Sequence, residues 1–496
     1  MIEIVQIWFT IVVVVVLSTW MGYQLLRAVH IAVPTAQILG LGILLGGVLT
    51  SLLTLVLLSL NLANELSLVV LAVIAVAMRS GVRARGRHLS SPESDGSVRR
   101  VVIKSVGLGL IGLNMFSLWG ITLGLSILML PGAGITELKS QESRRSYSTL
   151  VVLTAAAAAL GLYTWQPGWW YAQSNDVPFF ESLTWSLARF GPDSHPGFLN
   201  GSINGYHYLG YLWAGTISDV AEAPPFQVLN IALPFLEVFS ISLVLLSSFQ
   251  NFKEVSKAGS WIVLAFVLGI RYTSFTSSDL ATWSLVCYSS LLFASENGRQ
   301  ISEIGNRTRL QVIFGVFGSI TVLSKGTTLP IVLALGLATS SAAFGSEIWT
   351  NGWRAIRRLP IHLLAVCATA WWWYFGAAKS ATFALAEPSP ASNLLELGPN
   401  NGLWASRDVF QSLPILILLG AFMVLYRRRG DAAFYRLEIV SISVFCLLAT
   451  GAILLMPAIN ARIYAQNHAL VVLMSLGVIT AGRHRVPLTF RLLIPT

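Results

Sequence analysis

Residues 4–26 read IVQIWFTIVVVVVLSTWMGYQLL, an apolar run without a charged side chain. A helix that crosses a bilayer needs about 20 consecutive apolar residues, so this run is long enough to span one. It has neither a basic start nor a small-residue cleavage site, and we therefore expect a retained helix rather than a signal peptide.

The whole chain repeats this character. Of its 496 residues, 55% are hydrophobic and 11% are charged, whereas a soluble domain carries about 25% charged residues. The net charge is +10, but the basic residues fall in short clusters between apolar runs, as orientation signals do, and nucleic-acid binding is not indicated. The composition predicts an all-α polytopic membrane protein.

Apolar runs predict roughly 13–15 transmembrane helices. Basic stretches occupy every second loop, and the loops between them belong on the outer side by the positive-inside rule. Two consecutive basic stretches, 79–104 and 137–145, flank the single run 105–130. We expect that run to form two short spans or a re-entrant hairpin that bends near Asn114 to Trp119.

Four segments follow from this topology. They are N-terminal transmembrane helices at 1–78, a basic cytoplasmic linker at 79–104, a module at 105–345 with the outer loop 166–225, and C-terminal helices at 346–496 with the outer loop 377–411. Residues 379–408 combine Pro, Asn and Gly with leucines and a tryptophan. Such a segment is either a lid over a cleft or a mobile connector.

The outer loop 166–225 holds the polar residues that the spans lack. It contains SNDVPFFESLTWSLARFG at 174–191, where Phe179, Leu183, Leu187 and Phe190 share one helical face, as in a helix lying on the bilayer surface. Further along, INGYHYLGYLWAGTI at 203–217 carries Tyr206, Tyr208, Tyr211 and Trp213, a pattern typical of an interfacial aromatic belt.

These loops resemble the GT-C superfamily of membrane glycosyltransferases, over about 149–345. The resemblance is carried by SNDVPFFESL, by YHYLGY at 206–211 and by the short outer loop RYTSFTSSD at 271–279. It implies transfer of a sugar from a polyprenyl-phosphate carrier to an acceptor on the outer side. The chain lacks the contiguous Asp-x-Asp or Asp-Glu pair common in that superfamily, so the need for a divalent metal ion stays open.

Inverting transfer requires a carboxylate within about 3 Å of the acceptor hydroxyl. Asp176 is the proposed base, with a helix cap as its alternative role. Glu181 would orient a substrate or Asp176, or be a solvated surface residue. Asp279 would belong to the site or form an ion pair with Arg271.

The leaving phosphate requires cations. Arg271, Lys325 and Arg462 are the notable outward cations, and each could instead be a snorkelling anchor. Lys325 has the best context, because Gly326, Thr327 and Thr328 follow it at a helix N-terminus. Glu237 lies within an apolar run and should face the interior of the helix bundle.

The remaining predicted contacts are to substrate, from Asn175, His195, Tyr206, His207 and Tyr208. Hydrogen-bonded histidines are the default, since no metal-ligand spacing accompanies His195 or His207.

The sequence thus predicts a multi-pass membrane glycosyltransferase with inversion of configuration. Its predicted partners are a polyprenyl-phosphate-linked sugar, a cell-envelope glycan, lipid or protein acceptor, and the bilayer. We expect it in a cell membrane of bacterial type, with its site on the outer face. A transporter or flippase, or a polymerase of lipid-linked glycans, is the alternative.

Overall fold

The computed structural model describes residues 2–29, 35–62, 177–192, 207–247, 275–296, 304–351, 360–373, 432–456 and 459–483, with residues 66, 69, 70, 73 and 74. Within these residues the chain is helical, with turns and no strand. The predicted all-α class is therefore confirmed for this part of the chain.

Three of the described helical segments are long and apolar enough to cross a membrane, at Gln6–Ala28, Gln37–Ser59 and Pro225–Leu245. Five shorter apolar stretches of 10–17 residues occur within further helices. The predicted runs at 105–130, 149–165, 260–270 and 412–426 lie outside the described residues, as do the linker 79–104 and the loop 379–408.

The chain forms two compact units. The first contains α1 (Ile2–Ala28), α2 (Thr35–Ser59), α3 (Val177–Phe190), α4 (Leu209–Val220), α5 (Leu233–Ser247) and the start of α6 (Ser277–Glu296), through Trp283. The second contains His207, the rest of α6, α7 (Ile304–Ser324), α8 (Leu329–Asn351), α9 (His362–Trp371), α10 (Ala432–Leu454) and most of α11 (Ile459–Arg483), through Gly477.

Small residues bring α1 and α2 into direct backbone contact. A Cβ atom at Gly46 would collide with the carbonyl oxygen of Ser18, and one at Gly22 would collide with that of Gly42. The Thr50 hydroxyl donates to the Ser18 hydroxyl at 2.8 Å. Small residues at a helix interface allow this approach, which gains dispersion contacts and buried hydrogen bonds.

Helix α2 also packs on α4 and α5 of the same unit. Thr54 and Thr216 share a hydroxyl hydrogen bond of 2.8 Å between α2 and α4. The Ser240 hydroxyl of α5 donates to the Gly40 carbonyl at 2.7 Å. The helices at 1–59 thus contact helices from the module that the sequence analysis began at residue 105.

A proline disturbs the helix that leads into α5. A turn at Pro225–Gln227 continues into a π-helical turn at Val228–Ala232 before α5 begins. In π-helical hydrogen bonding, the N–H of residue 234 would donate to the Leu229 carbonyl five residues earlier. Pro234 has no N–H, so this hydrogen bond is missing. Leu229 instead accepts the Phe275 N–H at 3.1 Å. The helix break therefore fixes the segment that enters α6.

A buried histidine joins three helices of the second unit. His362 Nδ1 lies 2.8 Å from Gln311 Oε1, and His362 Nε2 lies 2.7 Å from the Tyr288 hydroxyl. The amide oxygen of Gln311 can only accept, so the imidazole carries its proton on Nδ1 and accepts from Tyr288. This chain of hydrogen bonds ties α6, α7 and α9 together.

Candidate functional site

The structure confirms a helix at 177–190, but the residues predicted to share one face differ in burial. Leu183 and Leu187 are buried, with Thr184 between them, on the side where α3 meets α4. Phe179 and Phe190 are instead 42% and 46% exposed. The four residues thus do not form one membrane-facing surface, because the leucines serve the protein interior.

A second correction concerns α4, which the sequence predicted as an interfacial helix. Tyr208, Tyr211 and Trp213 are each at most 3% exposed. Gly47 of α2 lies directly against the Trp213 ring, where a Cβ atom would collide with it, and Trp213 packs on Trp283. Neighbours on several sides make α4 a core helix, so its aromatics form no interfacial belt.

Tyr211 connects the start of α3 to the start of α6. Its ring stacks on Phe180 with centroids 5.2 Å apart and planes 16° apart. Its hydroxyl oxygen accepts the Ser277 N–H at 3.3 Å. Glu181 and Asp279, two of the predicted acids, therefore lie on segments that meet through one buried tyrosine.

Asp279 is held by a capping box at the N-terminus of α6. Its Oδ2 accepts the Thr276 N–H at 2.8 Å and the Thr276 hydroxyl at 2.7 Å. The Thr276 hydroxyl oxygen accepts the Ser278 N–H at 3.2 Å in turn. This reciprocal arrangement satisfies backbone donors that a helix N-terminus leaves open. One Asp279 oxygen is thus engaged in holding the helix end.

Glu181 has a different environment. Its Oε1 is buried without a hydrogen-bond partner among the described residues. Burial raises the pKa of this carboxyl above its ordinary value, because desolvation disfavours the charged form. A carboxyl with a raised pKa suits proton transfer near neutral pH better than an ordinary glutamate does.

The second unit holds a buried cation, Lys325, whose side chain is only 8% exposed. We use the name Lys325 cluster for Lys325 with Tyr464, His207 and Thr327. Lys325 lies between α7 and the 3-10 turn Gly326–Thr328, in extended conformation. Thr328 donates its hydroxyl to the Lys325 carbonyl at 2.7 Å and closes this turn. The Lys325 Nζ lies over the Tyr464 ring of α11, 3.4 Å from its centroid. The ammonium is thus fixed against an aromatic face.

His207 belongs to the same unit, and the positive charge of Lys325 acts on it. Burial, and then the positive charge of Lys325, lower the pKa of His207 to about 3. The imidazole is therefore neutral at physiological pH. The Thr327 hydroxyl of the adjoining turn is buried and has no hydrogen-bond partner within the described residues.

Such a cluster can bind an anion. A buried ammonium supplies the positive charge that a phosphate group requires, and the Thr327 hydroxyl is a donor without a partner among the described residues. The structure thus brings together two predicted site residues, His207 and Lys325, from distant parts of the sequence.

Several predicted site residues lie outside the described part of the chain. These are Asn175, Asp176, His195, Tyr206 and Arg271. Arg462 lies within α11, on the same helix as Tyr464, but its side chain is outside the described set. Their roles remain predictions.

Sequence reasoning missed Tyr464 and the Thr276 cap. TSSD at 276–279 matches the capping-box pattern of a hydroxyl residue followed three positions later by an acid, so this signal was present. No signal in the sequence pointed to Tyr464, apart from its nearness to Arg462.

Among the described residues, no group of three or more His, Cys, Asp or Glu side chains could hold a metal ion. No protein-family model matches this sequence, and no curated protein or solved structure matches it either.

Proposed function

We propose that the protein is an integral membrane glycosyltransferase that transfers a sugar from a polyprenyl-phosphate donor to a cell-envelope glycan, lipid or protein on the outer face. The main support is the Lys325 cluster. Its buried ammonium, which lies over Tyr464 and lowers the pKa of His207, has the charge required to hold the leaving phosphate.

The position of Lys325 along the chain agrees with this role. The apolar part of helix α7, Arg309–Ser324, is about 24 Å long at 1.5 Å per residue, somewhat shorter than the ~30 Å of a bilayer core. Arg307 and Arg309 lie in its first turns, and Lys325 follows its last residue. With the arginines on the cytoplasmic side, Lys325 is expected at the outer surface.

The reaction is a single displacement. A carboxylate removes the proton of the acceptor hydroxyl while its oxygen bonds to the anomeric carbon. The bond from that carbon to the phosphate oxygen breaks, and the electron pair leaves with the polyprenyl phosphate. The phosphate is stabilised by Lys325, with Arg271 and Arg462 as further predicted cations.

Two acids are proposed for the proton transfer. Asp176 is the choice from sequence, and Glu181 gains support from its raised pKa. Asp279 is better suited to hold the start of α6, because its Oδ2 already accepts two hydrogen bonds.

Labelled-sugar transfer tests this function. The folded Asp176→Asn and Glu181→Gln variants are compared with the parent, using polyprenyl-phosphate-linked hexoses and pentoses. Loss of transfer in one of them identifies the base. Full activity in both would exclude the proposed proton acceptors.

One observation favours the alternative of a transporter for lipid-linked sugars. The span Pro225–Leu245 contains the π-helical turn, Pro234 and Glu237, which is 3% exposed. A broken helix with a buried acid inside the membrane is typical of a transport site. Movement of a labelled polyprenyl-phosphate sugar across proteoliposomes, without chemical transfer, would favour this function.

A further inference from the structure

We propose that Tyr464 is a positioning residue that holds the Lys325 ammonium ready for a lipid phosphate. This inference rests on the proposed function, since Lys325 is the predicted phosphate ligand. It adds a residue that the sequence did not suggest and assigns it a specific task.

The geometry supports an electrostatic contact. The Lys325 Nζ lies 3.4 Å from the Tyr464 ring centroid, within the roughly 6 Å at which a cation is attracted by the negative face of an aromatic ring. Because Lys325 is 8% exposed, the contact is largely shielded from water. Such shielding strengthens a cation–π interaction.

An aromatic ring holds a cation without cancelling its charge. A carboxylate in the same position would compete directly with an incoming phosphate. The Tyr464 ring restricts the flexible lysine side chain without neutralising its positive charge. The lysine thus loses part of its conformational freedom before the ligand arrives, which lowers the entropic cost of binding.

The surroundings leave an approach to the cluster. Tyr464 is 42% exposed, and Gly326 and Thr327 of the adjoining turn are partly exposed. The Thr327 hydroxyl, two residues along the chain from Lys325, is buried without a partner among the described residues. The exposed face of Tyr464 and this partly exposed turn therefore give a phosphate a route to Lys325.

Two substitutions separate the ring from the phenol hydroxyl. Tyr464→Phe keeps the aromatic face, and Tyr464→Leu removes it. Loss of the ring should weaken binding of a polyprenyl phosphate about tenfold, in the range of a shielded cation–π contact. Tyr464→Phe should restore it to within about twofold. Met474→Leu, on the exposed side of the same helix, is the matched control.

The contact itself can be observed without any ligand. Reductive methylation places ¹³C-methyl groups on lysines, and the sequence has only six lysines to assign. The NMR signals of the methyl groups on Lys325 should be shifted upfield, as are those of nuclei above an aromatic ring. The shift should persist in Tyr464→Phe and disappear in Tyr464→Leu. Its absence in the parent protein would overturn the proposal.

Ligand binding then tests the role. Farnesyl phosphate and farnesol, added to the protein in detergent, form the matched probe pair. Farnesyl phosphate should move the Lys325 methyl signals, and farnesol should not. If the ring shift is present but farnesyl phosphate neither binds nor moves it, the proposed phosphate site fails while the contact stands. If Tyr464→Leu binds farnesyl phosphate as tightly as the parent, the positioning role is overturned.

Discussion

Thr276 donates two hydrogen bonds to a single oxygen of Asp279, one from its N–H at 2.8 Å and one from its hydroxyl at 2.7 Å. The pair closes the N-terminus of α6, and the Leu229 carbonyl holds the preceding Phe275 through its N–H. An acid that the sequence assigned to the reaction thus has a defined structural task.

Asp279→Ala should therefore destabilise the protein by about 1 kcal/mol, the usual cost of losing a helix cap. Asp279→Asn should keep most of the stability, because its amide oxygen can still accept from Thr276. Thermal unfolding in detergent measures both. Asp219→Ala is the control, since its ion pair with the exposed Arg189 is expected to contribute little. Unchanged stability in Asp279→Ala, with loss of sugar transfer, would contradict the capping role.

Replacing Lys325 by methionine should raise the pKa of His207 from about 3. The charge of Lys325 is the second cause of the lowered value, after burial, so the pKa should rise without reaching the ordinary 6.5. Histidine-selective NMR titration measures it. An unchanged pKa in the folded variant would show that Lys325 does not act on His207.

The same histidine makes stability depend on pH. Between about pH 6.5 and 3, the unfolded state binds a proton at His207 that the folded state does not, so stability falls as the pH falls through this window. His207→Gln should show a smaller loss between pH 6.5 and 4 in thermal unfolding experiments. An equal or larger loss would argue against a buried neutral imidazole.

Glu181→Gln should not destabilise the protein at pH 7. The pKa of Glu181 is raised by burial, so its folded state favours the proton, and stability decreases as the pH rises above the unfolded pKa of about 4.5. A neutral glutamine avoids this loss. Glu222→Gln, at an exposed turn, is the control. A lower unfolding temperature for Glu181→Gln than for Glu222→Gln would indicate that the charged carboxylate is stabilising.

Gly46→Ala should destabilise the first unit by about 1–3 kcal/mol, as overpacking does. The new methyl group would meet the Ser18 carbonyl and push α1 away from α2. Gly451→Ala is the control, because nothing lies within 4 Å of its Cβ position and a helical glycine usually gains from alanine. Equal unfolding temperatures for the two variants would contradict the close helix contact.

The helical class and the three spans could be predicted from sequence, because long apolar runs have few structural solutions in a membrane. Helix α3 could be predicted from the helical spacing of its apolar residues. The orientation of its apolar face could not be predicted, because Leu183 and Leu187 could pack against either lipid or protein. Only the position of α4 decides between the two. Likewise, Tyr211 and Trp213 resemble interfacial aromatics until α2 and α6 are placed beside them.

The Lys325 cluster depends on contacts between residues far apart in the chain. Lys325 follows α7 and Tyr464 lies in α11, and no local spacing rule connects them. Sequence therefore identified the cation and its turn but not the ring that holds it. The capping box of Asp279, by contrast, involves four consecutive residues and could have been recognised.

The most direct test of the account is the release of polyprenyl phosphate from a panel of polyprenyl-phosphate hexoses and pentoses, in the parent and in folded Lys325→Met. The account predicts sugar transfer by the parent with at least one donor and a loss of at least about tenfold in the variant, consistent with losing a charged hydrogen bond to the leaving group. Transfer by Lys325→Met at the parental rate would contradict it.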